Sequence, residues 1–266
     1  MSVNDPLDAD RLRSDLVSPG GLWQRLDVVA ETGSTNADLA QRARAGEAPG
    51  SVLVTDYQSS GRGRLGRTWT APPGSSIAMS VLVRPKNVAS SRWTWLPLLA
   101  GLAAVEALRR AADVPAVLKW PNDVLVDGRK ICGILAERVE TPDGPACVIG
   151  WGLNVHLAED ELPVPTATSL ALLRPESVPH RDTVVVTVLR AFELLFSHWQ
   201  ATDDDGAFAA SYGERSDTIG RPVRVMLSAD RVVEGTATGI DADGRLVVLT
   251  DEGPQAFGAG DVVHLR

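Results

Sequence analysis

Little in this sequence suggests a metal centre, a disulfide scaffold or a membrane segment. Its 266 residues include two cysteines, Cys132 and Cys147, without Cys-x-x-Cys spacing, and four scattered histidines, His156, His180, His198 and His264, without His-Glu-x-x-His. That pattern argues against structural zinc and predicts buried free thiols in a reducing compartment. No run of about 18 apolar residues occurs, and the opening MSVNDPLDAD is acidic and lacks the apolar stretch of a signal peptide. These absences predict a soluble cytoplasmic protein. Aromatics are scarce at 5%, and 26 Lys plus Arg face 34 Asp plus Glu, for a net charge of −8. Such a balance disfavours whole-surface affinity for nucleic acid or anionic lipid, so any anion chemistry has to be local. What is present is ordinary globular composition, 44% hydrophobic and 23% charged, with length for one large domain and a small one.

Residues 1–20 are polar, carry Pro and Gly, show no helical period, and read as a loosely packed lead-in. From Ser34, STNADLAQRARAG predicts a helix, with Thr35 and Asp38 at capping-box spacing and Gly46 as its stop. Strand-like runs follow at 51–57 and 76–84, separated by a Gly, Arg, Ser and Pro loop too long for a simple hairpin turn. Apolar spacing predicts a buried helix over 95–112. Runs at 116–126, 130–140 and 146–155 alternate with Asp127-Gly128 and Asp143-Gly144 turn signals. A long helix is expected over 183–200 and a short one over 206–213. The whole implies an α+β fold with a mixed, mostly antiparallel central sheet and flanking helices, and disfavours a parallel doubly wound sheet. Short β-rich runs from Gly220 onward predict a small C-terminal β-barrel, giving domains of 1–216 and 217–266.

Three segments could carry chemistry. Gly61-Arg62-Gly63-Arg64-Leu65-Gly66-Arg67 satisfies Gly-x-Gly-x-x-Gly literally, but Thr68-Trp69-Thr70-Ala71-Pro72-Pro73-Gly74 cannot open the helix that a dinucleotide fingerprint requires. What remains is a loop in which alternating glycine and arginine lets guanidinium groups and backbone N–H converge on one anion. Taken alone it reads equally as a solvated basic turn or an RNA contact. Lys119-Trp120-Pro121-Asn122-Asp123, followed by Lys130 and Gly133-Ile134-Leu135, places two lysines on facing strands of one expected hairpin, with a carboxylate at the turn. The plainer reading is a strand end with Trp120 in the core. Gly150 and Gly152 lie inside an apolar strand, where either a close approach or a bulge accounts for them. Residues 56–70 carry a net +2 and residues 119–138 a net +1, leaving −11 for the rest.

Taken together and in this order, Ser34-Thr35-Asn36, Gln58 with GRGRLGR, KWPND, Lys130 with Gly133-Ile134-Leu135, and Gly150 to Asn154 resemble the motifs of bacterial biotin protein ligases. Cys132 stands where the family often has Ala. The resemblance implies a biotin/lipoate ligase-like catalytic domain with a C-terminal SH3-like β-barrel. It implies formation of biotinyl-5'-AMP from biotin and MgATP, then transfer of biotin to a lysine of a biotin carboxyl carrier domain. Ser34, Thr35, Asn36, Gln58, Gly61, Arg62, Gly63, Arg64, Trp69, Lys130, Gly133, Gly150 and Gly152 are then expected around biotin. Arg64, Arg67, Trp69, Lys119, Asn122, Lys130, Asn154 and Arg266 are expected around ATP or the adenylate. Arg64, Arg67, Lys119, Asp123 and Lys130 are the expected catalytic set, with magnesium arriving on ATP and Asp123 a further candidate for it. Ser-Thr-Asn at residue 34 leaves no room for a winged-helix domain, so no repressor role, DNA partner or membrane partner is expected, and a monomer or weak homodimer is. Lipoate or octanoate ligases of the same fold are the alternative, followed by an RNA-binding module.

Overall fold

The computed structural model describes residues 6–228 and 231–265. Its larger part runs α1 (Ala9–Leu16), β1 (Arg25–Thr32), α2 (Thr35–Arg44), β2 (Ser51–Gln58), β3 (Gly61–Arg62), β4 (Thr68–Trp69), β5 (Ser76–Val83), α3 (Trp95–Ala112), β6 (Val117–Lys119), β7 (Asp123–Val126), β8 (Arg129–Thr141), β9 (Gly144–Asn154), α4 (Leu170–Leu173), α5 (Arg181–Ala201) and α6 (Gly206–Glu214). Seven strands form the central sheet in the order β1-β2-β5-β9-β8-β7-β6. Only the β1–β2 pair is parallel, so the expected mixed, mostly antiparallel sheet is what forms. The two-residue Asp127-Gly128 turn joins β7 to β8 with both residues at positive φ, the geometry that matches strand twist.

Alternation along the strands builds two cores. Val81, Val83 and Ile149 face the large core with α3 and α5, whereas Leu82 and Val148 face Leu39, Ala40 and Ala43 of α2. In the large core Trp151 donates through Nε1 to the Ala100 carbonyl of α3 (3.0 Å) and meets Phe192 edge-on at 5.4 Å. Residues near the N-terminus depart from the sequence reading. Asp8 caps α1, which lays Leu12 and Leu16 into the core, so residues 9–16 are a packed helix. Eight residues are too few to display a periodic signal among polar neighbours. The cap of α2 also shifts: Ser34 Oγ, not Thr35, accepts from Ala37 N, and Asp38 instead accepts from the Thr32 hydroxyl.

The C-terminal strands are β10 (Pro222–Ser228), β11 (Arg231–Ile240), β12 (Leu246–Thr250), β13 (Gly253–Phe257) and β14 (Asp261–His264), ordered β13-β12-β11-β10-β14. This is the expected small antiparallel unit, but among the described residues β13 and β14 remain edges, so the barrel does not close. Val223, Val225, Ala237, Leu246, Val248 and Phe257 fill its core. The unit is fastened to the rest by Trp95 Nε1 on Ala242 O (2.8 Å) and Trp120 N on Thr218 Oγ1 (3.0 Å). No helix among the described residues is long and apolar enough to cross a membrane.

Candidate active site

A pocket opens over the β8–β9 hairpin, beneath the 61–67 loop. Its floor comes from the first turn of α2, the end of β2 and the middle of β5. Gln58 Oε1 accepts from Thr35 N (2.8 Å) and lies 3.1 Å from Thr35 Oγ1. Ser80 Oγ lies 2.7 Å from Thr35 Oγ1 and 2.6 Å from Asn36 Oδ1. Asn36 Nδ2 donates to Leu135 O (3.1 Å) and Glu137 Oε2 (2.9 Å). All of these groups are neutral except Glu137, and Ser34, Thr35, Asn36 and Ser80 are buried.

The glycines are explained by close approach. A Cβ on Gly150 would collide with Asn36 Oδ1, and one on Gly152 would enter the Trp69 indole. Gly133, the register partner of Gly152, is crowded by Lys130 and the same indole. No bulge interrupts β9 here; side chains occupy the missing volume. Trp69 thus lies across the pocket, its Nε1 buried without a hydrogen-bond partner and Lys130 Nζ 5.7 Å from its ring centre. An unpaired buried indole N–H favours an incoming acceptor.

Charge gathers at the mouth. Lys130 Nζ and Asp123 Oδ1 form an ion pair at 2.6 Å, though not an aligned hydrogen bond. Arg64 donates to Asn122 Oδ1 (3.1 Å) and Gly260 O (3.2 Å), and Asn122 Nδ2 donates to Ile134 O (2.8 Å). Asp261 of β14 receives Arg67 and lies 3.8 Å from Arg64. Burial pulls the Arg64 guanidinium below its ordinary range, Asp261 and Asp123 oppose that, and Arg67 adds to it. The 61–67 loop is therefore a β3–β4 ribbon with a turn at Arg64–Gly66, clasped to the C-terminal sheet.

The two lysines do not share a hairpin. Lys119 is on β6 and Lys130 on β8, with β7 between them, and the register sets Lys119 opposite Asp123. The run over 116–126 breaks into two strands because the cis Trp120–Pro121 bond and Asn122 form the connecting turn. Trp120 is buried, as its plainer reading has it. Lys119 lines a second cleft with Asp123, Lys130, Thr166, Asp217, Arg221 and His264. Burial, with Lys119 and Arg221, lowers the His264 pKa, and Asp217 opposes them.

Ser34, Thr35, Asn36, Gln58, Arg62, Gly63, Arg64, Arg67, Trp69, Asn122, Asp123, Lys130, Gly133, Gly150 and Gly152 all line the first pocket. Three expected members do not, the first being Lys119 of the second cleft. Asn154 is buried at the end of β9, donating Nδ2 to Thr168 O at 2.9 Å, and Gly61 is buried in the ribbon behind the pocket wall, against Trp69 O and Gln58 Nε2. Arg266 lies outside the described residues. Ser80, Glu137 and Asp261 are additions. Glu137 had a signal, since Gly133, Leu135 and Glu137 alternate onto one face of β8; Asp261 had none, being about 200 residues from its partners. Burial pushes both cysteine thiols up to about 12, which leaves them inert as nucleophiles. No cluster of three His, Cys, Asp or Glu capable of holding a metal occurs among the described residues.

Residues 29–154 match the Biotin/lipoate A/B protein ligase family, and residues 218–265 match the Biotin protein ligase C terminal domain. The chain is 44% identical to the biotin--[acetyl-CoA-carboxylase] ligase of Mycobacterium tuberculosis, over 99% of this chain and 98% of that protein. It is 32% identical to the bifunctional ligase/repressor BirA of Bacillus spizizenii, covering 94% of this chain and 76% of the relative. Among solved structures, the biotin protein ligase of Aquifex aeolicus in complex with biotin and ATP aligns with a TM-score of 0.78 and 28% identity, over 92% of this chain and all of that one.

Proposed function

The chain belongs to the biotin protein ligase family, and from that premise we propose that its pocket makes biotinyl-5'-AMP from biotin and MgATP and passes biotin to a carrier lysine. The observation that carries the reading is the polarity of one cavity: a neutral hydrogen-bonding floor at Thr35 and Gln58, and a cationic mouth at Arg64 and Lys130. The ureido ring of biotin is neutral and polar and suits the first; the carboxylate and the nucleotide phosphates suit the second.

In the first step the biotin carboxylate is itself the nucleophile, so no Ser, Cys or His triad is needed. Its oxygen bonds to the α-phosphorus and the bond to pyrophosphate breaks, with Arg64 and Lys130 offsetting the negative charge that gathers there. Arg67, the more exposed arginine of the pocket lining, assists from its rim, and Lys119 and His264 line the adjoining cleft that the departing pyrophosphate would meet. Magnesium, held chiefly by the nucleotide's own phosphate oxygens, would add further charge neutralisation at the α-phosphate, with Asp123 the carboxylate of the pocket that could help hold it. Trp69 covers the adenylate and excludes water from the anhydride. In the second step the acceptor amine, with a reference pKa of about 10.4, must lose a proton before it attacks. Asp123 is the carboxylate placed to orient that amine and take the proton, in competition with Lys130. The acceptor is a lysine of a biotin carboxyl carrier domain, and the chain divides into a catalytic domain of 1–216 and a C-terminal domain of 217–266.

Incubation with ATP, Mg²⁺ and labelled biotin, with and without a biotin carboxyl carrier domain, tests it. Labelled adenylate alone, then labelled carrier, is expected. Label from octanoate or lipoate but none from biotin would overturn the substrate, and no label from any of the three would overturn the reaction.

A further inference from the structure

The hydrogen bonds of the floor continue through the pocket wall to a residue outside every motif. Asn36 is buried, and its Nδ2 is committed to Leu135 O and Glu137 Oε2. Its Oδ1 accepts only, so the single proton of Ser80 Oγ must go to Asn36, leaving a lone pair toward Thr35 Oγ1. The Thr35 hydroxyl then chooses between Ser80 Oγ and Gln58 Oε1, the second of which already accepts Thr35 N. Glu137, an acceptor at both oxygens when ionised, joins Leu135 O in fixing which way the Asn36 amide faces and thereby helps to order the protons of the floor. The same Oε2 accepts from Arg62 Nη2 at 3.1 Å, on the ribbon that carries the arginine loop.

We propose that Glu137 is a positioning residue of the ligase reaction, aligning the floor through Asn36 and holding the 61–67 loop down through Arg62. The inference rests on reading the pocket as the biotinyl-adenylate site. The two links differ in strength for a physical reason. The inner one serves a buried amide that would keep Leu135 O but be left with its second N–H unpaired, which is costly. The outer one joins side chains that are 46% and 32% exposed, and such pairs are weak and reversible. A weak outer link suits a loop that opens to admit biotin and closes over the adenylate.

Three variants separate the links: Glu137→Gln retains an oxygen for Asn36 and removes the charge that holds Arg62, Arg62→Ala cuts the outer link from the other side, and Glu137→Ala cuts both. For each, the full chain is assayed for biotin KM in ATP–pyrophosphate exchange and for the share of adenylate released rather than transferred to a carrier domain, with melting temperature as control. Glu137→Gln and Arg62→Ala should each raise the released share about threefold, more than either raises KM. Their combination should do no more than one alone, because both break one link. Glu137→Ala should add about a tenfold rise in biotin KM. A released share unchanged in Glu137→Gln and Arg62→Ala, or effects that multiply in the double variant, would overturn the role. Should Glu137→Ala fail to fold, the other two still decide. A wild-type chain that forms no adenylate defeats the ligase reading; one that does, with Glu137→Gln indistinguishable from it, defeats only Glu137.

Discussion

The two ends of the pocket are built in opposite ways. At the floor, Thr35, Asn36, Gln58 and Ser80 are neutral, largely buried and mutually hydrogen-bonded. At the mouth, Arg64, Arg67, Lys130 and Asp123 are charged and partly exposed, and the arginines find partners in Gly260 and Asp261 from the far end of the chain. A buried polar array tolerates no missing partner, so the floor is held in one arrangement. Charges at a rim can exchange partners cheaply, so the mouth can give up protein carboxylates for phosphates. On the proposed reading, specificity belongs to the first arrangement and chemistry to the second.

The contrast can be broken most severely at Lys130. Lys130→Ala is expected to slow pyrophosphate exchange at saturating biotin and ATP by about 10²–10³-fold, the usual loss for one transition-state charge contact, with a melting temperature near wild type. An unchanged rate would remove charge neutralisation from the mechanism. Next in size is the floor. Gly150→Ala pushes a methyl into Asn36 Oδ1 and should destabilise the fold by about 1–3 kcal/mol and weaken biotin binding, as overpacking does. Gly239→Ala, with open space around it, should stay within about 0.5 kcal/mol in the same melts. Equal melting temperatures for the two would mean that the floor yields.

A smaller effect is expected where the mouth borrows from the C-terminal sheet. Asp261→Ala should change ATP KM a few-fold while leaving the biotin dissociation constant alone, and a change in biotin binding instead would erase the division between the ends. The smallest effect is on pH. The His264 pKa is lowered in the folded state, so its contribution to stability is present above the ordinary histidine value and is lost as pH falls through the folded one. Melts between pH 8 and 5 should show that loss, flattened in His264→Gln. Pyrophosphate, placed against Lys119 and Arg221, should raise the His264 pKa in an NMR titration; no movement would place the anion elsewhere.

How far the sequence reached differs between the same two regions. Helix α3 falls on the expected 95–112 because thirteen of its residues are buried and the apolar spacing is dense. The helix Ala9–Leu16 escaped because two buried leucines in eight residues make no period. Fifteen pocket-lining residues are legible because each sits in, or, for Trp69, just after, a motif whose spacing is fixed by a local turn or strand. Asn154 shares the face of Gly150 and Gly152 on β9, yet it is outside the pocket lining, its amide donating to Thr168 O, a partner no nearby motif announces. Lys119 and Lys130 look like residues of facing strands in the sequence because apolar residues continue on both sides of the Pro121 turn, which hides β7 between them.

By itself, then, the sequence determined the alternation that makes an antiparallel sheet, the glycines that leave space, and the few cationic positions in an acidic chain. Those are properties of single residues and their near neighbours, and local sterics and charge suffice to read them. Tertiary structure decided that the space beside Gly152 belongs to Trp69, that Asp123 faces Lys130, and that Asp261 holds the arginine loop. Each of these depends on which strands become neighbours. That choice is made by burial over the whole sheet, where no short stretch of sequence carries enough energy to settle it.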